Sequence, residues 1–273
     1  MKSVSIFTFL AAFFMSFAVM AEFNEERIAI ESESGRTIEA TLYSPAAISP
    51  ETQKVVVLHT YYGMIHGEAE PEDHQYAKEL AETGDFMVLV PNYAKFGRKG
   101  YHAGITEDLS SVINWMVAMN DGVDGRVGIV GFSAGAYHAL KVSTVNSKVA
   151  SISAYYGPFD FDVTAFSKNK RQRFPESAID FANKIDAPVL ILHGTKDTET
   201  PVSQAKSFAR NMEENGKVVS LNVYSGSYHR FDRGPNNKMR GERTKHGHVY
   251  RKDESSKSDA FIKTKEWLLE HTN

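Results

Sequence analysis

Apolar positions along the chain follow two different periods, and their order predicts a layered α/β fold. Two early segments, 27–31 and 37–43, alternate polar and apolar residues, as a half-solvated antiparallel pair of strands does. Later apolar runs are continuous and rich in β-branched residues, which is typical of strands buried on both faces. These runs are Val55–Leu58, Phe86–Val90, Val127–Val130, Val149–Tyr155, Val189–Leu192 and Val218–Tyr224.

Segments with helical spacing lie between these predicted strands. Gly84 is placed to end the first helix, and Thr106 is the predicted N-cap of the second. Helices that repeatedly separate buried strands predict a mostly parallel central sheet with helices on both faces. The predicted helices are 73–83, 106–120, 134–145, 176–184, 202–215 and 257–271. With no internal repeat and no linker-like stretch, we expect one domain over 22–273.

The first 21 residues are predicted to be a secretory signal peptide rather than part of the fold. Lys2 supplies a positive start, residues 6–20 are uncharged and mostly apolar, and cleavage is expected after Ala21. The alternative is a membrane anchor, but a spanning helix needs about 20 apolar residues and an acidic stretch follows at once. We therefore expect no stable membrane insertion after cleavage, and a periplasmic or extracellular location.

Composition excludes several classes of protein. The 273 residues are 42% hydrophobic and 24% charged, as in ordinary globular proteins. A formal net charge of −3 argues against a nucleic-acid partner. The chain contains no cysteine, which excludes thiol nucleophiles, disulfide scaffolds and cysteine-ligated zinc. The pair His246 and His248 lacks the spacing of a metal motif, so no metal is expected. No organic cofactor is expected either.

The segment Gly131-Phe132-Ser133-Ala134-Gly135 matches the pattern G-x-S-x-G. It directly follows a predicted buried strand and precedes a predicted helix, which is the context that this motif requires. Small residues on both sides allow a tight turn that exposes the hydroxyl of Ser133. A plain strand-to-helix turn could use the same residue types, so the motif alone leaves the role of the serine open.

A serine becomes a strong nucleophile only beside a general base that is itself oriented by a carboxylate. Asp197 follows the predicted strand that ends at Leu192, and His229 follows the last predicted strand. The carboxyl ends of parallel strands lie at one edge of a sheet, so we expect Ser133, Asp197 and His229 to meet there.

These residues resemble the dienelactone hydrolase-like branch of the α/β-hydrolases. The resemblance rests on Gly131-x-Ser133-x-Gly135, on Gly194-x-x-Asp197 followed by Pro201, and on Tyr228-His229-Arg230-Phe231. It implies an α/β-hydrolase fold with Ser133 as nucleophile, His229 as general base and acid, and Asp197 as the group that orients His229. The namesake enzymes carry cysteine at the nucleophile position and a glutamate where this chain has Thr60, so the differences favour a general serine esterase over dienelactone itself.

An oxyanion hole requires two backbone N–H donors near the nucleophile. The first is expected from Ala134, the residue after Ser133, and the second from Tyr61 in the loop that begins at Thr60. The alternative for Tyr61 and its neighbour Tyr62 is that both rings pack on the edge of the sheet.

The sequence leaves two interpretations open for several other side chains and segments. His59 and His193 each end a buried strand, where structural hydrogen bonding is favoured over a second base, and His138 is expected to pack in the core. The basic segment 230–252 is either a flap that favours an anionic substrate or a solvated loop. Segment 159–173, with Phe159, Phe161 and Phe166, either forms part of a lid or covers the sheet edge.

The sequence therefore predicts an exported serine hydrolase that cleaves a carboxylic ester or lactone through an acyl-enzyme. The expected partner is this small-molecule substrate, and the sequence gives no indication of the oligomeric state. Two alternatives remain: a secreted serine peptidase on the same fold, and a binding protein that has the hydrolase fold without its catalysis.

Overall fold

The computed structural model describes residues 23–93, 104–119, 125–162, 176–235 and 247–272. The predicted signal peptide, 1–21, lies outside the described residues. Among the helices that are described, none is both long enough and apolar enough to cross a bilayer.

The described residues form eight strands. Their bounds are β1 Phe23–Glu31, β2 Thr37–Pro45, β3 Gln53–Leu58, β4 Phe86–Pro91, β5 Val127–Phe132, β6 Val149–Tyr155, β7 Val189–Gly194 and β8 Val219–Tyr224. All eight belong to one sheet with the order β1-β2-β4-β3-β5-β6-β7-β8. Strands β3 to β8 are mutually parallel, whereas β1 pairs antiparallel with β2 and β2 antiparallel with β4. The predicted mostly parallel sheet with an antiparallel pair at the start is confirmed.

Helices connect the strands of the parallel part. Their bounds are α1 Tyr61–His66, α2 Pro71–Ala81, α3 Ile105–Ala118, α4 Ala134–Ser143, a 3₁₀ helix Ala178–Lys184, α5 Val202–Glu214 and α6 Glu254–His271. Each long helix that the periodicity predicted is present, with ends that differ by a few residues.

Two hydrophobic cores lie on opposite faces of the sheet. Alternate residues of β3 point to opposite faces, so Val56 and Leu58 join one core and Val55 and Val57 join the other. Side chains from α3, α4 and α5 fill the first core, and side chains from α2 and α6 fill the second. The prediction of helices on both faces is therefore confirmed, and it explains why the central strands are apolar at every position.

The structure differs from the prediction at three helices. Helix α3 begins at Ile105 after Gly104, not after a Thr106 cap, because burial of Ile105 in the first core starts the helix without a capping side chain. The segment predicted as a helix over 176–184 is a 3₁₀ helix with a kink at the buried Phe181. The sequence predicts a loop after Thr60, where the structure has helix α1. Six residues are too few to show a helical period.

Gly135 provides a test of how tightly α4 packs on the sheet. A Cβ at this position would lie 2.3 Å from the carbonyl oxygen of Leu58, which is backbone and cannot move aside easily. We expect Gly135→Ala to lower the free energy of unfolding by about 1–3 kcal/mol, although alanine is the better helix former by about 1 kcal/mol. Urea unfolding measures the change.

Val145→Ala is the matched control for this experiment. Val145 follows the same helix and is 66% exposed, so its truncation should change stability by less than about 0.5 kcal/mol. Equal unfolding midpoints for Gly135→Ala and the wild type would show that the helix does not approach the strand this closely.

Candidate active site

Three loops bring the predicted site residues to the carboxyl edge of the sheet. Ser133 stands between β5 and α4, Asp197 between β7 and α5, and His229 in the segment after β8. Strands β5 and β7 are both parallel neighbours of β6, so their carboxyl ends lie close together. The topology places the three residues where the sequence predicted.

The turn at Ser133 has a strained backbone that the flanking glycines make possible. Ser133 adopts φ 53° and ψ −113°, a conformation that a residue with a side chain rarely takes. A Cβ on Gly131 would lie 2.6 Å from the carbonyl oxygen of Gly135, and one on Gly135 would meet Leu58. The sharp turn therefore needs both glycines, which is the physical basis of the G-x-S-x-G pattern.

The three side chains form a continuous hydrogen-bonded relay. His229 Nε2 lies 3.0 Å from Ser133 Oγ, and His229 Nδ1 lies 2.7 Å from Asp197 Oδ2. All three residues are largely buried, with Ser133 8% exposed and His229 2% exposed. In this geometry Nδ1–H donates to the carboxylate, which leaves the lone pair of Nε2 free to accept the proton of the hydroxyl.

Hydrogen bonds fix the Asp197 carboxylate in its ionised form. Its Oδ1 accepts the backbone N–H groups of Glu199 and Thr200, and its Oδ2 accepts the hydroxyl of Thr200 at 2.9 Å. Burial alone would raise the pKa of Asp197, but the charge of His229 and hydrogen bonds from His193 and His229 outweigh it. The pKa of this carboxyl is therefore held below its ordinary range.

Opposing effects also act on His229. Burial lowers the pKa of the imidazole, whereas the carboxylates of Asp197 and Glu199 raise it and Arg230 opposes them. The net result is a pKa above the ordinary value for histidine. The imidazole is also held by packing, with its ring centre 4.7 Å from that of Tyr156.

Glu199 and Tyr250 are site residues that the sequence analysis missed. Glu199 Oε2 lies 3.7 Å from His229 Nε2, on the side of the ring that faces Ser133, and it accepts a hydrogen bond from the Tyr250 hydroxyl. Tyr250 reaches this position because its backbone forms an isolated bridge with His229. The proximity of Glu199 to Asp197 in the chain was a usable signal, but nothing local pointed to Tyr250.

The start of the basic segment is a buried ion-pair network, not a flap. Both terminal nitrogens of Arg230 donate to the Glu70 carboxylate, at 3.0 and 3.2 Å. Arg233 donates to Asp73 at 2.6 Å and to Asp232 at 2.8 Å. These two cations are therefore neutralised inside the protein, and they tie the chain after His229 to helix α2. The described start of this segment is therefore neither a flap nor a solvated loop, and residues 236–246 lie outside the described residues.

Thr60, at the position where the resemblance implies a glutamate, has a structural role. Its hydroxyl donates to Glu70 at 2.5 Å and accepts the backbone N–H of Tyr62, which caps helix α1. Glu70, further along the chain, places a buried carboxylate beside it, and this carboxylate is bound by Arg230.

A small cleft opens beside the serine. It encloses about 140 Å³ and is lined by Thr60, Tyr61, Tyr62, Ile65, Ser133, Glu199, His229, Arg230 and Tyr250. Tyr61 is the first residue of α1, and Ala134 is the first residue of α4. The backbone N–H groups in the first turn of a helix point outward along the helix axis.

The three other histidines singled out from the sequence occupy structural positions. His193 Nε2 lies 2.7 Å from the carbonyl oxygen of Thr200, and the His59 ring stacks on Tyr93 at 4.4 Å. His138 is buried in the core beside Tyr137, and its pKa is lowered to about 3 by burial. Within the described part of the chain, no cluster of histidine or acidic residues is arranged to hold a metal ion.

The aromatic residues of segment 159–173 that the structure describes belong to the core. Phe159 and Phe161 are buried in the first core and do not line the cleft. Phe166 lies outside the described residues.

Solved structures share this fold. A candidate dienelactone hydrolase from Klebsiella pneumoniae superposes with a TM-score of 0.69 at 19% identity, over 90% of this chain and 98% of that one. The esterase Pf2001 of Pyrococcus furiosus gives a TM-score of 0.65 at 16% identity, over 92% of each chain. The protein thus has the α/β-hydrolase fold.

Sequence comparison identifies the family. A curated relative, the uncharacterized peptidase YuxL of Bacillus subtilis, is 21% identical over 240 residues, which is 76% of this chain and 36% of that protein. The chain spans about a third to a half of the length of the first curated relatives that it matches. The model of the dienelactone hydrolase family matches residues 38–272. With the fold and most of the chain in agreement, this protein belongs to the dienelactone hydrolase family.

Proposed function

We propose that this protein is a serine hydrolase that cleaves carboxylic esters or lactones through an acyl-enzyme. The observation that carries the proposal is the relay from Ser133 through His229 to Asp197, with contacts of 3.0 and 2.7 Å. Membership of the dienelactone hydrolase family agrees with it. In the proposal Ser133 is the nucleophile, His229 the general base and acid, and Asp197 the group that orients His229.

The first half of the reaction forms the acyl-enzyme. Ser133 Oγ attacks the carbonyl carbon of the ester while its proton passes to His229 Nε2. The imidazolium that forms is stabilised by the ionised carboxylate of Asp197, 2.7 Å from Nδ1. The backbone N–H groups of Ala134 and Tyr61 are the proposed donors to the oxyanion, and loss of one such donor typically costs about 10²–10³ in turnover.

The second half releases both products. His229 Nε2 returns its proton to the alcohol oxygen, the carbon–oxygen bond breaks, and the acyl group remains on Ser133. A water molecule then attacks the acyl-enzyme and gives its proton to His229 Nε2. The bond between the acyl carbon and Ser133 Oγ breaks, Nε2 returns the proton to this oxygen, and the carboxylic acid leaves. A lactone follows the same steps, except that the alcohol and the acid stay in one molecule.

The size of the cleft favours a small substrate. Its volume of about 140 Å³ is below the roughly 300–1,000 Å³ of pockets for drug-sized ligands. Tyr61, Tyr62 and Ile65 line it, so a short apolar acyl or alcohol group would find contacts there.

A peptidase is the second candidate, because the curated relative from Bacillus subtilis is called one. The same relay can attack an amide carbonyl, although an amine is a poorer leaving group than an alcohol. Turnover of paired substrates separates the two: p-nitrophenyl acetate and a p-nitroanilide of an acylated amino acid. Faster turnover of the anilide would favour the peptidase.

The strained backbone argues against a binding protein without catalysis. A positive φ on a residue with a side chain costs about 1–3 kcal/mol and persists where the surrounding structure demands it. At Ser133 the strained conformation places the hydroxyl beside His229, an arrangement that binding alone does not need.

Replacement of the serine tests the proposal directly. We expect Ser133→Ala to lower the kcat/KM for p-nitrophenyl acetate by at least about 10³-fold, because the nucleophile is lost. A fluorophosphonate probe should add to Ser133 of the wild type, as seen by mass spectrometry, and not to the variant.

Ser225→Ala is the matched control. Ser225 is exposed in the segment that follows β8, between that strand and His229, so its removal should leave turnover and labelling unchanged. Unchanged circular dichroism and melting temperature would show that Ser133→Ala is folded. Full activity in a folded Ser133→Ala protein would refute the proposed nucleophile.

The pH dependence of turnover follows from the raised pKa of His229. The base must be neutral, so kcat/KM falls as the pH drops through this pKa. Because the folded pKa lies above 6.5, the midpoint of the acid limb should also lie above 6.5. A pH profile of kcat/KM for p-nitrophenyl acetate measures it, and a midpoint below 6.5 would contradict the environment described for the imidazole.

Export is a further part of the proposal and rests on the N-terminal sequence. When the full chain is expressed in a Gram-negative bacterium, we expect periplasmic protein whose first residue is Glu22. N-terminal sequencing after fractionation measures this. Leu10→Arg, which places a charge in the apolar run, should keep the protein in the cytoplasm uncleaved; an uncleaved wild type would contradict the predicted signal.

A further inference from the structure

Glu199 is a second carboxylate at the site, and the proposed relay does not use it. Asp197 already holds Nδ1 of the His229 ring, whereas Glu199 Oε2 lies 3.7 Å from Nε2 on the opposite edge. The Glu199 side chain is 16% exposed and lines the cleft together with Ser133. The Tyr250 hydroxyl donates to the same oxygen and thereby fixes the direction of the carboxylate.

The reaction geometry places Glu199 on the side of the leaving group. His229 Nε2 must deliver a proton to the alcohol oxygen, so this oxygen comes within about 3 Å of Nε2. Glu199 Oε2 is less than 4 Å from the same nitrogen. The first atoms of the alcohol beyond its oxygen therefore lie next to this carboxylate.

Charges at the described part of the cleft leave Glu199 without a permanent counter-ion. Among the described residues, the ion-pair partner of Glu199 is His229, which is uncharged only when the pH lies above its raised pKa. Arg230 also lines the cleft, but its terminal nitrogens are bound by Glu70. Asp197 adds a further negative charge behind His229.

Aromatic rings complete the surroundings of Glu199. Tyr61, Tyr62 and Tyr250 line the same cleft. A carboxylate beside aromatic rings is a favourable environment for an organic cation, which gains both ion-pair and cation–π attraction. An anionic group at this position would instead be repelled by the carboxylate.

We propose that Glu199, fixed by Tyr250, forms a leaving-group subsite that selects esters whose alcohol carries an ammonium group. This inference rests on the proposed esterase function and specifies its substrate class. It is opposite to the anionic preference that a basic flap would give. Glu199 acts as a specificity-determining residue, because it contacts the departing alcohol and not the carbonyl carbon.

Three acetate esters of similar shape test the subsite. Acetylcholine, 3,3-dimethylbutyl acetate and 3-acetoxypropanoate carry a cation, a neutral group and an anion at the same distance from the ester oxygen. On the pH plateau above the titration of His229, we expect kcat/KM to fall in that order. The step between the cation and its neutral isostere should be about three- to tenfold, as for a partly exposed ion pair.

Glu199→Gln removes the charge and keeps the size of the side chain. In this variant the cationic and neutral esters should be hydrolysed within about twofold of each other, whatever the overall rate. Glu68→Gln is the matched control, since Glu68 is exposed and outside the cleft, and it should keep the wild-type order. An unchanged preference in Glu199→Gln would overturn the assignment.

If Glu199→Gln does not fold, the three esters still test the cationic subsite in the wild type. Equal turnover of the cationic and neutral esters, or fastest turnover of the anionic ester, would refute the cationic subsite while p-nitrophenyl acetate hydrolysis still supports the esterase. If neither p-nitrophenyl acetate nor any of the three esters is hydrolysed and no fluorophosphonate adduct forms, the esterase proposal itself fails, and the subsite with it.

Discussion

The close packing of helix α4 against the end of strand β3 is the constraint on which the site depends. Gly135 lies so near the carbonyl oxygen of Leu58 that no side chain fits between them. With this close approach, the chain passes from strand to helix through a sharp turn that holds Ser133 at positive φ and its hydroxyl 3.0 Å from His229 Nε2. The strain is held by two well-packed cores, one on each face of the sheet, which outweigh its cost of about 1–3 kcal/mol.

A second constraint places the histidine. In its described residues, the segment between β8 and α6 contains an isolated bridge between His229 and Tyr250, and buried charges also hold it. Arg230 binds Glu70 and Arg233 binds Asp73, so two ion pairs join this segment to the N-cap and the first turn of helix α2. Breaking a buried pair by removing one partner typically costs about 3–5 kcal/mol. The network is thus a stiff support that keeps the imidazole within reach of Ser133.

Local structure departed from the sequence prediction where packing overrode local signals. Helix α3 starts without a capping side chain because burial of Ile105 supplies the stabilisation that a cap would give. The kink at Phe181 and the short helix α1 have the same origin, since both place side chains against the core or the cleft. Neither interpretation of the basic segment, flap or solvated loop, foresaw that Arg230 and Arg233 are buried. Their acidic partners lie about 160 residues earlier in the chain, and composition cannot show such pairs.

The sequence alone determined the sheet, its helices on both faces, the dienelactone hydrolase resemblance, and the order in which Ser133, Asp197 and His229 arrive at one edge. It could do so because buried parallel strands and a strand-to-helix turn with two glycines leave local patterns in the chain. Only the tertiary structure showed that Glu199 and Tyr250 face His229 Nε2, and that Thr60, Glu70 and Arg230 form one buried cluster. These contacts join residues that are distant in sequence, and their distances depend on how the loops pack over the sheet, which no local pattern records.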